Sequence, residues 1–252
     1  MKTVPLKKIK NIAPLFSWSD DKLIVSCLQG YSGQAFADDP DFPTTALIVN
    51  TGFSFVGGNP ASIQAVELLE CVPAGTELIP QPNWYDMVEN ILGPRARRRV
   101  RYGFKKDPSI FNREQLEKYA VNLPVSFYIK PIDSEIYDLL YSENWSRGLI
   151  ENFPSKEAFL EKGFGFVVLF NGRPVSGASS YIVYDGGIEV EINTKPEYRR
   201  RGLASACGAQ LILECLDRKL CPCWDAANLP SCLLAQKLGY QYTGEYTSYS
   251  IG

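Results

Sequence analysis

Residues 164–194 constrain the fold of this chain most, because they spell three strands joined by turns short enough to force antiparallel pairing. Residues 164–170 read as a strand that ends at Asn171-Gly172, a dipeptide suited to a tight hairpin. Residues 175–184 resume the sheet, Asp185-Gly186-Gly187 turns it again, and residues 188–194 complete a meander. A strand at 125–130 precedes it, followed by helices at 134–144, with Ile136, Leu139 and Leu140 at helical spacing, and at 155–163, capped by Ser155 and stopped by Gly163. After the meander come a long helix at 200–219, a strand at 221–226, a helix at 229–238 ending at Gly239, and a strand at 240–248. The order is β-α-α-β-β-β-α-β-α-β.

The first part of the chain reads as a helix at 20–29, strands at 46–50 and 53–56, a helix at 61–71, a strand at 76–80, a helix at 84–92 and a strand at 97–104. The tail of that series, β-β-α-β-α-β, matches the tail of the second half, which suggests a degenerate structural repeat. Residues 105–123, with a helix near 113–121, would bridge the halves. The expected organisation is an N-terminal module over 1–123 and a second domain over 124–252. The expected class is α/β of the α+β type, a mixed, largely antiparallel sheet flanked by helices.

Composition narrows the chemistry. With 26 basic and 28 acidic side chains the net charge is −2, so no global field attracts a nucleic acid or a membrane. The arginines at 95, 97, 98, 99 and 101 fall in a strand without interleaved aromatics and read as a solvated or inter-module face. The basic N-terminus is followed by no apolar run, and no stretch approaches the roughly 18 apolar residues of a membrane helix, so a cytoplasmic protein is expected. Of seven cysteines, Cys207, Cys215, Cys221, Cys223 and Cys232 crowd into one stretch, but Cys221-Pro222-Cys223 has a single intervening residue and the chain has no histidine. Cys207 and Cys215 extend the series Leu203, Cys207, Leu211, Cys215 on a helix and read as core; no metal is expected. The lack of histidine also removes Ser-His-Asp and Cys-His catalysis, leaving a carboxylate, tyrosine, lysine or water as base.

The chemistry is carried by the stretch from Glu189 to Ala209. A strand runs out, Pro196 breaks it, and a helix begins among small residues. The first N–H groups of a helix lack partners and point outward with the positive end of the dipole, so a pyrophosphate fits there. Gly202, Ala204 and Ser205 keep side chains out of its way, and Arg199, Arg200 and Arg201 add charge on the same turn. The first half offers only Gly57-Gly58-Asn59-Pro60-Ala61-Ser62 at the corresponding place, where proline removes one donor.

The spacing Arg199-x-x-Gly202-x-Ala204, after a strand and Pro196-x-Tyr198, resembles the coenzyme A signature of the GNAT N-acetyltransferase superfamily. Asn228-Leu-Pro-Ser231 and Lys237-Leu-Gly239-Tyr240 resemble that family's Asn-containing helix and the step that ends it. The resemblance spans residues 124–252 and implies that acetyl-coenzyme A is the acyl donor. It places Ile192, Asn193 and Thr194 along the pantetheine arm, with Arg199, Arg200, Arg201, Gly202, Leu203, Ala204 and Ser205 at the pyrophosphate, and Asn228 and Ser231 as further contacts. The first 123 residues would then be a degenerate GNAT-like module.

Transfer to an amine needs a base and a donor for the developing oxyanion. Glu189, Glu191 and Asn193 share one strand face; Glu191 lies nearer the inferred thioester and is the expected base, with Glu189 second and Asp225 third. The tyrosine that the family often uses to protonate the thiolate is Ala235 here. Trp145, Arg147 and Glu151 are candidates for acceptor contact. The expected function is acetyl transfer to a primary amine of a small molecule in a ternary complex. The alternative is a catalytically silent acyl-coenzyme A sensor or scaffold. Expected partners are the amine and, by self-association, a homodimer, with neither nucleic acid nor membrane.

Overall fold

The computed structural model describes residues 1–252. The chain forms two compact units, Met1–Arg101 with Glu245–Gly252, and Tyr102–Gly244. In chain order the first elements are β1 (Lys2–Thr3), α1 (Lys22–Gln29), β2 (Gln34–Ala37), β3 (Thr45–Asn50), β4 (Phe53–Gly58), α2 (Ala65–Glu70), β5 (Glu77–Pro80), α3 (Tyr85–Leu92) and β6 (Ala96–Phe104). Next come α4 (Arg113–Val121), β7 (Phe127–Pro131), α5 (Ser134–Tyr141), α6 (Lys156–Lys162), β8 (Gly165–Phe170), β9 (Arg173–Tyr184) and β10 (Gly187–Thr194). The chain closes with α7 (Leu203–Asp217), β11 (Cys221–Cys223), α8 (Leu229–Leu238) and β12 (Tyr242–Ile251).

The first unit carries a sheet in the order β1-β2-β3-β4-β5-β12-β6. Strands β2 to β4 are antiparallel, whereas β4 and β5 run parallel across the α2 crossover, Phe53 facing Glu77 and Val56 facing Pro80. Leu47, Val56, Leu68, Leu69 and Trp84 form its core together with Tyr249 and Ile251 of β12. The series β2-β3-β4-α2-β5-α3-β6 has the same order as β8-β9-β10-α7-β11-α8-β12, so the GNAT-like character expected of the first half is present in its topology. The phosphate loop is not. Helix α2 starts at Ala65 rather than near 61, because Asn59 Oδ1 accepts the Ala61 N–H and Ser62 Oγ that of Gln64, local turns that compete with a helix. The Gly58 N–H donates to Gln81 Oε1 at 3.0 Å, and a Cβ on Gly57 would stand 2.2 Å from Leu15 O. The first unit's own chain fills the space.

The second unit has a sheet in the order β11-β10-β9-β8-β7. Asn171 and Gly172 both take positive φ, 49° and 73°, as a two-residue turn matched to strand twist requires. One face of the sheet packs Ile188 and Val190 against Leu203, Cys207, Leu211 and Cys215 of α7, with Trp224 and Tyr240. The other packs Val167 and Leu169 against Ile136, Leu140, Leu149 and Phe159 from α5, α6 and the turn between them. Helix α4 sends Leu116 and Ala120 into the α7 core, so residues 105–123 belong to the second unit instead of bridging two halves. The division therefore falls at Arg101/Tyr102, not at the expected 123/124, and the end of β12 returns to the first unit. Cys207 and Cys215 are fully buried free thiols, and burial pushes the Cys207 thiol up to about 12. No helix is long and apolar enough to cross a membrane.

Candidate active site

The site begins where two parallel strands part. Strand β11 is three residues long and pairs with β10 only from Gly187↔Cys221 to Glu189↔Cys223, so residues 190–194 of β10 have no partner on that side. On the other side, the Lys195 N–H donates to Val175 O at 2.9 Å, and Ser176 Oγ donates to Asn193 O at 3.3 Å. Strand alternation then turns the backbone groups of Ile192 and Thr194 away from β9, toward the opening. Thr194 is satisfied locally: its N–H donates to Asn193 Oδ1 at 2.9 Å and its carbonyl accepts from Arg199 Nε at 3.2 Å. Ile192 is the residue whose N–H and C=O remain on the open edge.

Beyond Thr194 the chain makes a short 3-10 turn at Pro196–Tyr198 and enters α7 through two left-handed residues, Arg200 at φ 61° and Gly202 at φ 81°. No side chain caps α7 and no acid lies in its first turn, so its leading N–H groups face outward unneutralised. Nothing stands within 4 Å of a Cβ on Gly202. A cleft of about 820 Å³ opens here. Its walls include Ile192, Asn193, Thr194, Arg199, Arg200, Gly202, Leu203, Ala204, Ser205, Asn228 and Ser231, the residues expected from the motif. Arg201 is the exception: its guanidinium lies over the Tyr198 ring at 5.2 Å and donates to Glu197 O, which turns it out of the cleft.

Asn228 and Ser231 reach the cleft with their side chains already engaged. Asn228 Oδ1 caps α8 by accepting the Ser231 N–H at 3.0 Å, and Ser231 Oγ accepts from Trp224 Nε1 at 3.2 Å. Tyr198, Pro230, Leu234 and Lys237 complete the walls. Lys237 follows Ser231 and Leu234 at steps of three, a helical spacing visible in the sequence that would have found it. No carboxylate lines the cleft, whereas Arg199, Arg200 and Lys237 do. That donor set fits a polyanionic ligand.

The opposite face of β10 carries the candidate bases. Glu189 is buried where β10 and β11 still pair, level with Cys223. Glu191 lies two residues further, past the split, and is half-buried. Burial alone, with no cation or donor offsetting it, pushes the Glu191 carboxyl from 4.5 up to about 7. Asp225 follows β11 and does not line the cleft. The turn at Arg147–Leu149 stands over Glu191, where a Cβ on Gly148 would lie 3.9 Å from Oε1. Trp145 is tied down rather than projecting: its carbonyl accepts from Asn193 Nδ2 at 2.6 Å and its Nε1 donates to Glu143 Oε2 at 2.8 Å. Lys195 Nζ reaches the same Glu143 oxygen at 2.7 Å, a pair the sequence reading missed, and this bond holds the Glu143 carboxyl below its usual range. Arg147 lies over the Tyr141 ring at 5.2 Å and donates to Tyr141 O, while Glu151 lines a separate recess with Tyr137, Tyr141 and Lys156. Ala235 is fully buried in the α7 core.

A split pair of parallel strands leading into an uncapped helix start is built to receive an anionic ligand. The chain belongs to the GNAT acetyltransferase family, which it matches over residues 13–249. It is 29% identical to YdfB, an uncharacterized N-acetyltransferase of Bacillus subtilis, over 98% of this chain and 97% of that protein. Its fold is similar to a GCN5-related N-acetyltransferase-like protein of Streptococcus suis, with 40% identity, 98% and 99% of the two chains covered and a TM-score of 0.90. A tandem GNAT protein from the clavulanic acid biosynthesis pathway shares the fold at 10% identity, TM-score 0.56, with 99% and 98% of the chains covered.

Proposed function

We propose that this chain transfers an acetyl group from acetyl-coenzyme A to the primary amine of a small molecule, by direct attack while both are bound. The observation that carries this reading is the continuity of the cleft: an unneutralised helix start, a cationic wall and the open edge at Ile192 form one surface, with Glu191 on the reverse face of the same strand. The N–H groups at the start of α7, with Arg199 and Arg200, would hold the pyrophosphate. Lys237 adds a third positive charge, and Asn228 lies beside the arm. Bound coenzyme supplies an activated thioester; the remaining work belongs to the protein.

An amine arrives protonated and cannot attack until it loses a proton. Glu191, with a pKa near neutrality, takes that proton, directly or through a water. The nitrogen then bonds to the acyl carbon and gives its second proton to water; the carbonyl re-forms, the C–S bond breaks, and the thiolate leaves with the electron pair. The Ile192 N–H is the donor available to the carbonyl oxygen as negative charge builds on it. With Ala235 buried and apolar, the thiolate takes its proton from solvent; a thiol of pKa about 8.5 leaves with little help near neutral pH.

That same alanine favours a second reading, a sensor that binds acyl-coenzyme A without turnover. A thiol-release assay with acetyl-coenzyme A and a panel of primary amines separates the two. Turnover that disappears in Glu191→Gln while coenzyme A still binds supports the enzyme; tight binding with no release by the wild type supports the sensor.

A further inference from the structure

The cleft at the start of α7 holds more positive charge than its helix start alone calls for, and that charge comes from two different elements. Arg199 and Arg200 stand on the turn that leads into α7, whereas Lys237 belongs to α8. On α8, Ser231, Leu234 and Lys237 recur at steps of three along one side of the helix, and all three line the cleft. At about 1.5 Å of rise per residue, Lys237 lies about 9 Å along the axis from Ser231. A volume of about 820 Å³ is the size of a pocket for a whole organic ligand, well beyond a diphosphate group.

The attachment of Lys237 lies past the anion-binding end of α7. The free N–H groups of that helix end before Ala206, whose N–H already donates to Gly202 O at 3.1 Å. Leu238, the neighbour of Lys237, packs further along, where a Cβ on Gly208 would meet its Cδ1 at 2.8 Å. The ammonium itself rests over the Tyr119 ring of α4 at 5.1 Å and meets no carboxylate. Other lysines of the same unit differ: Lys118, Lys130, Lys156 and Lys195 each pair with a carboxylate at 2.6–2.9 Å. Lys237 is thus a cation on a cleft wall, placed by an aromatic face and left for a ligand to neutralise.

Coenzyme A carries its negative charge in two places, the pyrophosphate and the 3′-phosphate of the ribose. The N–H groups, Arg199 and Arg200 account for the first. We propose that Lys237 binds the 3′-phosphate, and that this contact makes the protein select coenzyme A over its 3′-dephospho form. The inference rests on the acetyltransferase reading and deepens it at the donor. A phosphomonoester brings a charge of about −1.5 to −2 at pH 7, and a hydrogen bond to a charged partner contributes enough to shift affinity by about tenfold or more.

The test is calorimetric affinity for coenzyme A and for 3′-dephospho-coenzyme A, measured on wild type, Lys237→Met and Lys237→Arg. Methionine keeps most of the apolar stem and removes the charge. Wild type is expected to bind coenzyme A at least about tenfold more tightly than the dephospho form. Lys237→Met should lose about that factor on coenzyme A and stay within about threefold of wild type on the dephospho form, while Lys237→Arg keeps the preference. Melting temperatures of the variants report on the fold; if Lys237→Met does not fold, Lys237→Gln takes its place. Equal losses on both ligands, a preference that survives in Lys237→Met, or no preference in the wild type overturns the assignment and leaves the acetyltransferase reading intact. A wild type that binds neither ligand overturns both.

Discussion

Glu191 owes its place to strand parity and its chemistry to burial. Alternation along residues 188–194 already put Glu189, Glu191 and Asn193 on one face, and the structure keeps them there. What alternation could not show is that the Arg147–Leu149 turn stands over Glu191, a contact between residues more than forty apart in sequence, or that burial lifts this carboxyl to about 7. The Lys195–Glu143 pair was illegible for the same reason. Replacing Glu191 by Gln should reduce thiol release by about 10²–10⁴-fold with coenzyme affinity retained. It should also change stability in a pH-dependent way. The folded carboxyl titrates above its unfolded value, so its favourable contribution is complete below pH 4.5 and is lost as pH rises through 7. Glu191→Gln should therefore gain on the wild type by about 2–3 kcal/mol between pH 4.5 and pH 8, as read by urea melts at both. Parallel melting curves at the two pH values would mean that Glu191 is not held protonated by its surroundings.

At the scale of elements, the helices and strands of the second unit were legible because each is bounded by a residue with a mechanical reason to stop it: Asn171-Gly172 at the first hairpin, Asp133 and Ser155 capping α5 and α6, Asn228 capping α8. The start of α7 was not. The pattern placed it at 200, whereas Arg200 and Gly202 take left-handed conformations and the helix begins at Leu203. Those two residues aim the leading N–H groups outward and turn Arg201 aside, a backbone choice that a run of three arginines does not reveal. An acid placed in this first turn gives a two-signed prediction. Ala204→Asp should stabilise the unliganded protein by about 0.3–1 kcal/mol, since it complements the helix dipole. It should weaken coenzyme A binding at least about tenfold, since it competes with phosphate for the same N–H groups. Calorimetry on one sample can measure both, and a variant that binds coenzyme A as the wild type does would move the anion site elsewhere.

At the scale of the whole molecule, the repeat was visible in the order of elements and the division between units was not. The sequence pattern ends one strand near 248 and assigns it to the domain that contains it, but the last residues of β12 complete the sheet and core of the first unit, with Tyr249 and Ile251 buried there. Long-range strand exchange leaves no local trace, since alternation serves either sheet equally. Deleting residues 245–252 should destabilise the first unit by about 3–5 kcal/mol or more, the scale of removing a large buried side chain, and urea unfolding should show it. The first unit also explains why one coenzyme site is expected per chain: its own residues fill the place where the second unit has an open helix start. That claim is tested most directly by the electron density of crystals grown with acetyl-coenzyme A. The account predicts one coenzyme per chain, its pyrophosphate on the N–H groups at the start of α7, its arm along Ile192 and its acetyl group on the Glu191 side of β10. Density for the coenzyme anywhere else, or in the first unit, would contradict it.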